Sequence, residues 1–252
     1  MSRQRRRLNV SHFLAPKDGA TFEECEDAVG VSVESGRFAL ADGATEAFDA
    51  GSWARALVAG WVGREAAALT APEFKAWVVE EGKRFEESWA GRELPWYAEA
   101  KARAGSFAAF VGLAFEETAG GLRWRALALG DACLVQRRGG EVVRALPLSS
   151  PDEFNAAPVL VPTREAALEG ALARAVEAEG AARVGDVLLL LSDAAAAWFL
   201  GLSLARDPVR EKFDSLLAAS ENEALAALIR AERAAGRIKD DDVAAVRVEI
   251  EV

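Results

Sequence analysis

The sequence predicts an α+β fold with antiparallel sheets, and two observations lead to that prediction. Short strand-like runs follow one another in pairs joined by hairpin signals, which favours antiparallel pairing. Helical segments come in clusters instead of alternating singly with strands, as they would in a doubly wound parallel sheet. No Pro/Gly/Ser-rich linker and no internal repeat divides the 252 residues. We therefore expect residues 1–252 to form a single domain.

Strands are predicted where short apolar runs lie between turn residues. The first two runs, AVGVSV and RFALA, are joined by the turn Glu34-Ser35-Gly36, and a later pair is joined by Gly139-Gly140. The run DVLLLLS has no polar alternation, which is typical of a fully buried strand. The predicted strands cover residues 28–33, 37–41, 106–115, 122–129, 132–138, 141–147, 186–192 and 243–251.

Helices are predicted from apolar residues at helical spacing and from signals at their ends. In the first helix Trp53, Leu57 and Trp61 follow that spacing. Two capping boxes, Thr70-Ala71-Pro72-Glu73 and Ser220-Glu221-Asn222-Glu223, mark the starts of later helices. The predicted helices cover residues 49–69, 70 to beyond 85, 96–104, from 194 onwards, 207–218 and 220–236. Residues 148–164, which contain three prolines, are predicted to form a loop.

The charge of the chain argues against a nucleic-acid partner. Forty acidic and 30 basic residues give a net charge of −10, whereas phosphate backbones bind clustered Lys and Arg. One basic run, made of Arg3, Arg5, Arg6 and Arg7, lies near the N-terminus, where we expect a solvated tail. We therefore expect no nucleic acid among the partners.

The cysteines and the apolar runs indicate a cytoplasmic protein. Cys25 and Cys133 are too few for a disulfide framework, which favours a reducing compartment. The single histidine, His12, would have to activate Cys25 as a nucleophile, so structural buried thiols are the expectation. No apolar run reaches the roughly 18 residues that cross a membrane, and the N-terminus lacks the apolar part of a signal peptide.

Five short acidic motifs are the most informative feature of the sequence. Each places an aspartate at the edge of an apolar, strand-like run, where a single aspartate would normally be a turn residue. Several carboxylates at strand ends suit a hard divalent cation such as Mg²⁺ or Mn²⁺, which prefers oxygen ligands. In chain order the motifs are Cys25-Glu26-Asp27, Asp42-Gly43, Gly130-Asp131, Ser192-Asp193-Ala194 and Asp240-Asp241-Asp242.

In order and content these motifs resemble those of the PPM family, the metal-dependent protein phosphatases of type 2C, in the form of a divergent bacterial member. That family carries Asn-Glu-Asp near the N-terminus, then Asp-Gly, Gly-Asp and Ser-Asp-Gly, and finally Asp-Asp or Asp-Asn before its last strand. Each motif is weak alone, but five in the correct order are specific. The resemblance covers nearly the whole chain.

The resemblance implies a four-layer α-β-β-α sandwich with two Mg²⁺ or Mn²⁺ ions at one end and a third, weaker position. It implies that Asp42 bridges the ions, and that Asp42 and Asp193 hold the water that attacks a phosphate monoester. Glu26 would act through bound water, and Gly43 through its carbonyl. The implied metal ligands are Glu26, Asp27, Asp42, Gly43, Asp131, Asp193 and Asp241.

Some features of that family are missing. The arginine that contacts the substrate phosphate stands four residues before the motif's glutamate, and Phe22 occupies that position here. The N-terminal arginines and Arg164 remain open as replacements. Ser-Asp-Gly has become Ser192-Asp193-Ala194, and the neighbouring loops diverge. These changes leave the metal ligands in place and bear on phosphoprotein recognition.

Three functions remain open from the sequence. The first is a Mg²⁺/Mn²⁺-dependent phosphatase that hydrolyses phosphoserine or phosphothreonine on a protein, opposite a cognate Ser/Thr kinase. The second is a catalytically weak or inactive domain that keeps the fold as a regulatory binding module. The third is a metal-dependent hydrolase of a small phosphate ester.

Overall fold

The computed structural model describes residues 7–64, 71–155 and 157–252. Its strands form two antiparallel sheets, with the orders β1-β11-β10-β6-β7 and β2-β3-β4-β5-β9, and β8 pairs with β4. The strands are β1 (Arg7–Ala15), β2 (Asp27–Ser32), β3 (Arg37–Gly43), β4 (Phe107–Thr118), β5 (Gly121–Leu129), β6 (Cys133–Arg138), β7 (Glu141–Leu146), β8 (Val161–Pro162), β9 (Val176–Ala181), β10 (Val187–Leu191) and β11 (Val243–Glu251).

Helices cover the outer face of each sheet, so the architecture has the four layers that were predicted. Helices α5 to α7 share an apolar core with the β1 sheet, and α1, α2 and α4 share another with the β2 sheet. Within the described residues no helix is long and apolar enough to cross a membrane. The helices are α1 (Ala50–Val62), α2 (Ala71–Trp89), α3 (Trp96–Ala104), α4 (Glu165–Leu172), α5 (Asp193–Ala205), α6 (Val209–Ala218) and α7 (Asn222–Ala234).

Successive side chains along each strand point to opposite faces of the sheet, and those on the inner faces form the core between the two sheets. In β3, Phe38 and Leu40 point into the space between the sheets, whereas Ala39 and Ala41 face the helices. A third core cluster fills that space and includes Leu188 from β10. Such two-residue periodicity is what buries opposite faces of a strand in different layers.

Small residues let the helix layer lie close to the β2 sheet. A Cβ atom on Gly112 would lie 2.6 Å from the ring of Trp61, and the Trp61 Nε1–H donates to the carbonyl of Leu113 at 3.2 Å. Trp61 and Trp53 are both buried. The tryptophans of α1 are therefore packing residues that fix the helix on the sheet.

The predicted antiparallel α+β class is confirmed, and so are most predicted elements, within a few residues. The first helix ends at Val62 and not at 69, and residues 65–70 lie outside the described residues. Ser220 has a left-handed φ of 57°, and α7 begins at Asn222 without a side-chain cap, so the second capping box does not form.

Three strands and one α-helix were not predicted, namely β1, β8, β9 and α4, and neither was the 3₁₀ helix Pro151–Asn155. The most consequential is β1, since the N-terminal segment was expected to be a solvated tail. Arg7 instead starts an edge strand that pairs residue by residue with β11; Arg3, Arg5 and Arg6 lie outside the described residues. The polar residues of β1 alternate with apolar ones, and its pairing with the last strand is not visible locally in the sequence.

Antiparallel pairing brings the ends of several strands together at one end of the sandwich. Strands β1, β3, β5 and β10 end there, and β2, β6 and β11 begin there. Each of the five acidic motifs lies at one of these strand ends. The topology therefore brings together residues that are more than 200 positions apart in the chain.

Candidate metal centre

Strand register places the first two aspartates side by side. Asp27 is the first residue of β2 and lies directly opposite Asp42, near the end of β3. The backbone N–H of Gly43 donates to the carbonyl of Glu26 at 3.1 Å, which continues the pairing past the strand end. Two carboxylates thus project from neighbouring strands at the same edge of the sheet.

Ser192 brings the fourth and fifth motifs together. Its hydroxyl accepts a hydrogen bond from the backbone N–H of Ala244 at 2.9 Å, and its own N–H donates to the Ala244 carbonyl at 3.1 Å. These bonds join the end of β10 to the start of β11. Asp193 is therefore held beside Asp241, which directly precedes β11 with Asp242.

Asp242 is buried and joins the last strand to the N-terminal part of the site. Its carboxylate accepts hydrogen bonds from the backbone N–H of Lys17 at 2.8 Å and from that of Glu26 at 2.7 Å. Asp242 therefore positions the loop between β1 and β2. Asp240 acts similarly, because its carboxylate accepts the N–H of Asp18 at 2.9 Å.

Asp27 is the most unusual group of the centre. Its side chain is buried, with 2% exposed, and neither carboxylate oxygen has a hydrogen-bond partner among the described residues. Burial, and then the charge of Asp242, raises the pKa of Asp27 well above its ordinary value, and the nearby Ser192 hydroxyl offsets only part of this rise. An ionised carboxylate without a partner is costly in such a place unless a cation compensates it.

The neighbouring aspartates show the same electrostatic pattern. Burial, followed by the charges of Asp27 and Asp193, raises the pKa of Asp42 well above its ordinary value. Burial and the charge of Asp193 raise the pKa of Asp131 to about 6. Mutual repulsion of this kind shows that these carboxylates share one region, and it is relieved when a multivalent cation binds there.

Glu26 stands at the outer side of the cluster. Its Oε2 accepts a hydrogen bond from the Thr45 hydroxyl at 2.7 Å and lies 3.6 Å from the Lys17 Nζ. Lys17, Glu26 and Thr45 line a cavity of about 430 Å³ that opens beside the carboxylates. Glu26 is the predicted ligand that lines this cavity.

Lys239 lies beside two of the carboxylates, with 65% of its side chain exposed. Its Nζ lies 2.6 Å from Asp241 Oδ2 and 3.5 Å from Asp193 Oδ2. The hydrogen bond to Asp241 and the nearby charges outweigh the desolvation of Lys239 and raise its pKa above the ordinary value. Lys239 is therefore a resident cation that partly neutralises the site.

The chemistry of the donor set fits Mg²⁺ or Mn²⁺, although the side chains are not gathered into a coordination shell. Across residues 7–64, 71–155 and 157–252, no three His, Cys, Asp or Glu side chains are close enough to hold a metal ion. The carboxylates are all hard oxygen donors, and the unpartnered oxygens of Asp27 provide for a cation that keeps some of its waters.

Three residues singled out in the sequence have further roles or contacts in the structure. Gly43 also has a packing role, since a Cβ there would lie 2.8 Å from the backbone of Ala50 in α1. Phe22, which stands at the position of the missing arginine, is 65% exposed. Arg164 is not directed to the cluster, because it pairs with Glu86 at 3.1 Å and donates to Ala102.

Both cysteines are structural, as predicted. They are buried, and burial raises the pKa of Cys133 to about 12 and that of Cys25 further. His12 is exposed on β1. A thiolate nucleophile is therefore not available at neutral pH.

Sequence reasoning missed Lys17, Thr45, Lys239 and the structural role of Asp242. Lys239 lies two residues before Asp241, so its position beside the motif was visible in the sequence. Lys17 offered no such signal, because it reaches the centre through a loop that Asp242 holds from the other end of the chain.

No protein-family model matches the sequence, and no curated protein matches it. Solved structures do match over nearly the full chain. The catalytic domain of the serine/threonine protein phosphatase PstP, in complex with two manganese ions, is 18% identical with a TM-score of 0.62, covering 98% of this chain and 100% of that one.

Two further structures agree with this match. The Mycobacterium tuberculosis serine/threonine phosphatase PstP/Ppp is 17% identical with a TM-score of 0.63, covering 97% of this chain and 99% of that one. PppA, described as a key regulatory component of T6SS in Pseudomonas aeruginosa, is 20% identical with a TM-score of 0.62, covering 97% and 98%. The resemblance to the PPM-type Ser/Thr phosphatases is thus confirmed at the level of the fold.

Proposed function

We propose that this protein is a Mg²⁺- or Mn²⁺-dependent phosphatase that hydrolyses phosphoserine or phosphothreonine on a protein. The observation that supports it most is Asp27, a buried carboxylate without a hydrogen-bond partner, in a cluster whose members raise one another's pKa. Such a cluster requires cations for compensation, and the fold is that of phosphatases, one of which was solved with two manganese ions.

The residues that would hold the cations are those predicted from the sequence. Asp42 would hold cations together with Asp27, which lies opposite it in the sheet, and with Asp193, whose charge acts on it; both observations support this role. Glu26, Asp131, Asp241 and the Gly43 carbonyl would complete the set. When bound, a pair of such cations lowers the pKa of a shared water, so that hydroxide forms near neutral pH.

Lys17 would contact the substrate phosphate in place of the arginine that Phe22 replaces. Its backbone is fixed by Asp242, and its ammonium group lies on the cavity beside Glu26 with the side chain 31% exposed. Strand β1 ends at Ala15, on the side of the cluster, and Arg7 lies eight residues earlier at its start. Arg7 is therefore about 26 Å from that end of the strand, at roughly 3.3 Å per residue. Lys17 is therefore better placed than Arg7 to contact the phosphate of a substrate and to orient it.

The position of Lys239 favours one alternative, a regulatory domain that binds partners without hydrolysis. A lysine between Asp193 and Asp241 supplies one positive charge where a divalent ion would supply two. If Lys239 stays there when Mn²⁺ is added, the cluster is neutralised internally and turnover is absent. The two functions thus differ in whether the metal displaces Lys239.

Hydrolysis of p-nitrophenyl phosphate with Mn²⁺ or Mg²⁺ tests the proposal, with EDTA as the metal-free control. We expect metal-dependent turnover that Asp42→Asn lowers by at least about 1,000-fold, because each 1.4 kcal/mol is about tenfold and a metal centre contributes several kcal/mol. The matched control is Glu116→Gln, an exposed carboxylate in β4.

A folded wild-type protein with no turnover under either metal would reject the phosphatase proposal in favour of the binding module. Comparison of phosphopeptides with small phosphate metabolites then separates a phosphoprotein substrate from a small ester. A cognate Ser/Thr kinase would be sought only after a phosphopeptide is hydrolysed.

A further inference from the structure

A groove of about 590 Å³ lies between the C-terminal half of β1, the loop after it and one face of α7. Leu14 and Pro16 form one wall, and Ala226 and Ile229 form the other. Phe22 stands on its rim with 65% of the side chain exposed. A large aromatic ring left in water beside an apolar groove is typical of a surface that binds a partner.

This groove is continuous with the cavity at the carboxylate cluster. Residues 17–20 line both the groove and the cavity beside Glu26 and Thr45. The shared segment is held in place, since Arg233 donates to the Pro16 carbonyl and the Asp18 carboxylate, each at 3.1 Å. A chain lying in the groove is thereby directed past Lys17 into the candidate metal centre.

The groove also runs along a sheet edge. In the sheet order β1 is terminal and its described strand partner is β11, so alternate backbone N–H and C=O groups point outwards from its free side. An extended peptide can add to such an edge through main-chain hydrogen bonds, and pockets for alternate side chains give specificity. The apolar wall of α7 supplies those pockets.

The charges of the groove favour an acidic side chain near Arg230. Arg230 is exposed on the α7 wall, whereas Lys17, at the junction with the centre, lies 3.6 Å from Glu26, and Asp18 is paired with Arg233. Glu223 is the acidic side chain at the outer part of the same helix face. In a chain with a net charge of −10, this placement of cations attracts an acidic segment to this surface.

We propose that the groove between β1 and α7 binds the extended segment of a phosphoprotein that flanks its phosphorylated residue. The segment carries an apolar side chain against Ala226 and Phe22 and an acidic one near Arg230. This inference rests on the proposed phosphatase function for the nature of the ligand. The location of the groove does not depend on it.

A matched pair of substitutions on α7 tests the groove. Ala226 lines it, whereas the adjacent Ala227 is exposed and outside its lining. With an acidic phosphothreonine peptide as substrate and Mn²⁺ present, we expect Ala226→Glu to lower kcat/KM about tenfold, through like-charge repulsion and loss of apolar space. Ala227→Glu adds the same charge and should leave kcat/KM within about twofold.

The same variants assayed with p-nitrophenyl phosphate distinguish the groove from the metal centre. This small ester does not reach α7, so Ala226→Glu should hydrolyse it at the wild-type rate. Equal losses with both substrates, or equal losses in Ala226→Glu and Ala227→Glu, would overturn the proposal. A dimer of the wild-type protein that Ala226→Glu dissociates would also overturn it, since a second copy would then fill the groove.

Two additions keep the test decisive if Ala226→Glu does not fold or if the wild type does not turn over. Phe22→Ala changes only an exposed ring and should lower kcat/KM for the peptide several-fold, compared with Leu204→Ala, whose side chain is 70% exposed on α5. Without turnover, fluorescence anisotropy of the labelled peptide measures binding directly. Binding that Phe22→Ala weakens supports the groove even where hydrolysis is absent, and binding that it leaves unchanged rejects it.

Discussion

The two ends of the sandwich carry buried aspartates in opposite electrostatic situations. Asp186, before β10, is fully buried and accepts hydrogen bonds from Arg138 at 2.7 Å, Gln136 at 2.9 Å and the Arg183 N–H at 3.0 Å. Asp27, at the other end of the sandwich, is nearly as buried and has no hydrogen-bond partner within the described chain.

The pKa of each group follows from its partners. Burial alone would raise the pKa of Asp186, but the hydrogen bonds from Arg138, Arg183 and Gln136 lower it below the ordinary value. Burial raises the pKa of Asp27, and the charge of Asp242 raises it further. One end of the sandwich is thus electrostatically complete, whereas the other requires a cation that the chain does not supply in full.

The largest expected effect is on the free energy of unfolding, at the end of the sandwich that carries Asp186. Asp186→Asn removes the charge that Arg138 pairs with, and breaking a buried pair typically costs about 3–5 kcal/mol. Because 36% of the Arg138 side chain is exposed, we expect a smaller loss of about 2–4 kcal/mol in the free energy of unfolding. Urea denaturation measures it, and a loss below about 1 kcal/mol would contradict the view of Asp186 as a structural ion pair.

An aspartate-to-asparagine substitution at Asp27, at the other end of the sandwich, should change the free energy of unfolding in the opposite direction. In EDTA at pH 8, Asp27→Asn relieves repulsion among the carboxylates, and we expect the free energy of unfolding to rise by about 1–2 kcal/mol. Saturating Mn²⁺ should stabilise the wild type by about 3 kcal/mol at a hundred times its Kd and the variant much less. Denaturation with and without Mn²⁺ checks both, and a destabilised metal-free variant would show that Asp27 has a structural partner.

A smaller effect concerns the resident cation. Lys239→Met removes a charge that competes with the metal, but the lysine side chain is 65% exposed and such pairs contribute at most about 1 kcal/mol. We therefore expect calorimetry to show Mn²⁺ binding about two- to fivefold tighter, with Lys83→Met in α2 as the exposed control. Weaker Mn²⁺ binding would show that Lys239 supports the site and does not compete with the cation.

The smallest effect is the pH dependence of stability without metal. The pKa of Asp131 is raised from 3.8 to about 6, so the folded state holds its proton longer and stability falls as pH rises through that window. The pKa of Asp186 is lowered, so its contribution is lost as pH falls below 3.8. Thermal melts in EDTA should show both slopes, to which each group contributes under about 1.4 kcal/mol per pH unit. Asp131→Asn should reduce the first slope, to which Asp27 and Asp42 also contribute, and leave the second unchanged.

The sequence predicted the elements with strong local signals. The strand Val187–Leu191 and the glycine hairpin between β6 and β7 follow directly from apolar runs and turn residues. Strand β1 was missed because its stability comes from pairing with β11, at the other end of the chain. Local patterns do not contain such long-range pairing.

For the candidate site, too, the sequence predicted the features that depend on local signals. The positions of Asp27, Asp42 and Asp193 at one end follow from their places at strand ends, which the sequence shows. That Asp242 holds a loop and Lys239 lies among the carboxylates depends on side-chain directions at the junction of the two sheets. Their spacing in the chain does not determine those directions.

The hydrogen bonds from Lys17 and Glu26 to Asp242 span 225 and 216 residues of the chain. During synthesis, the loop that carries Lys17 leaves the ribosome long before the carboxylate that positions it. The aspartates of β2 and β3 can pair early, but the cavity beside Glu26 takes its final form only once β11 has been inserted between β1 and β10. A nascent chain therefore has no assembled centre, and the site should form late in folding, together with the slow closure of the sheet.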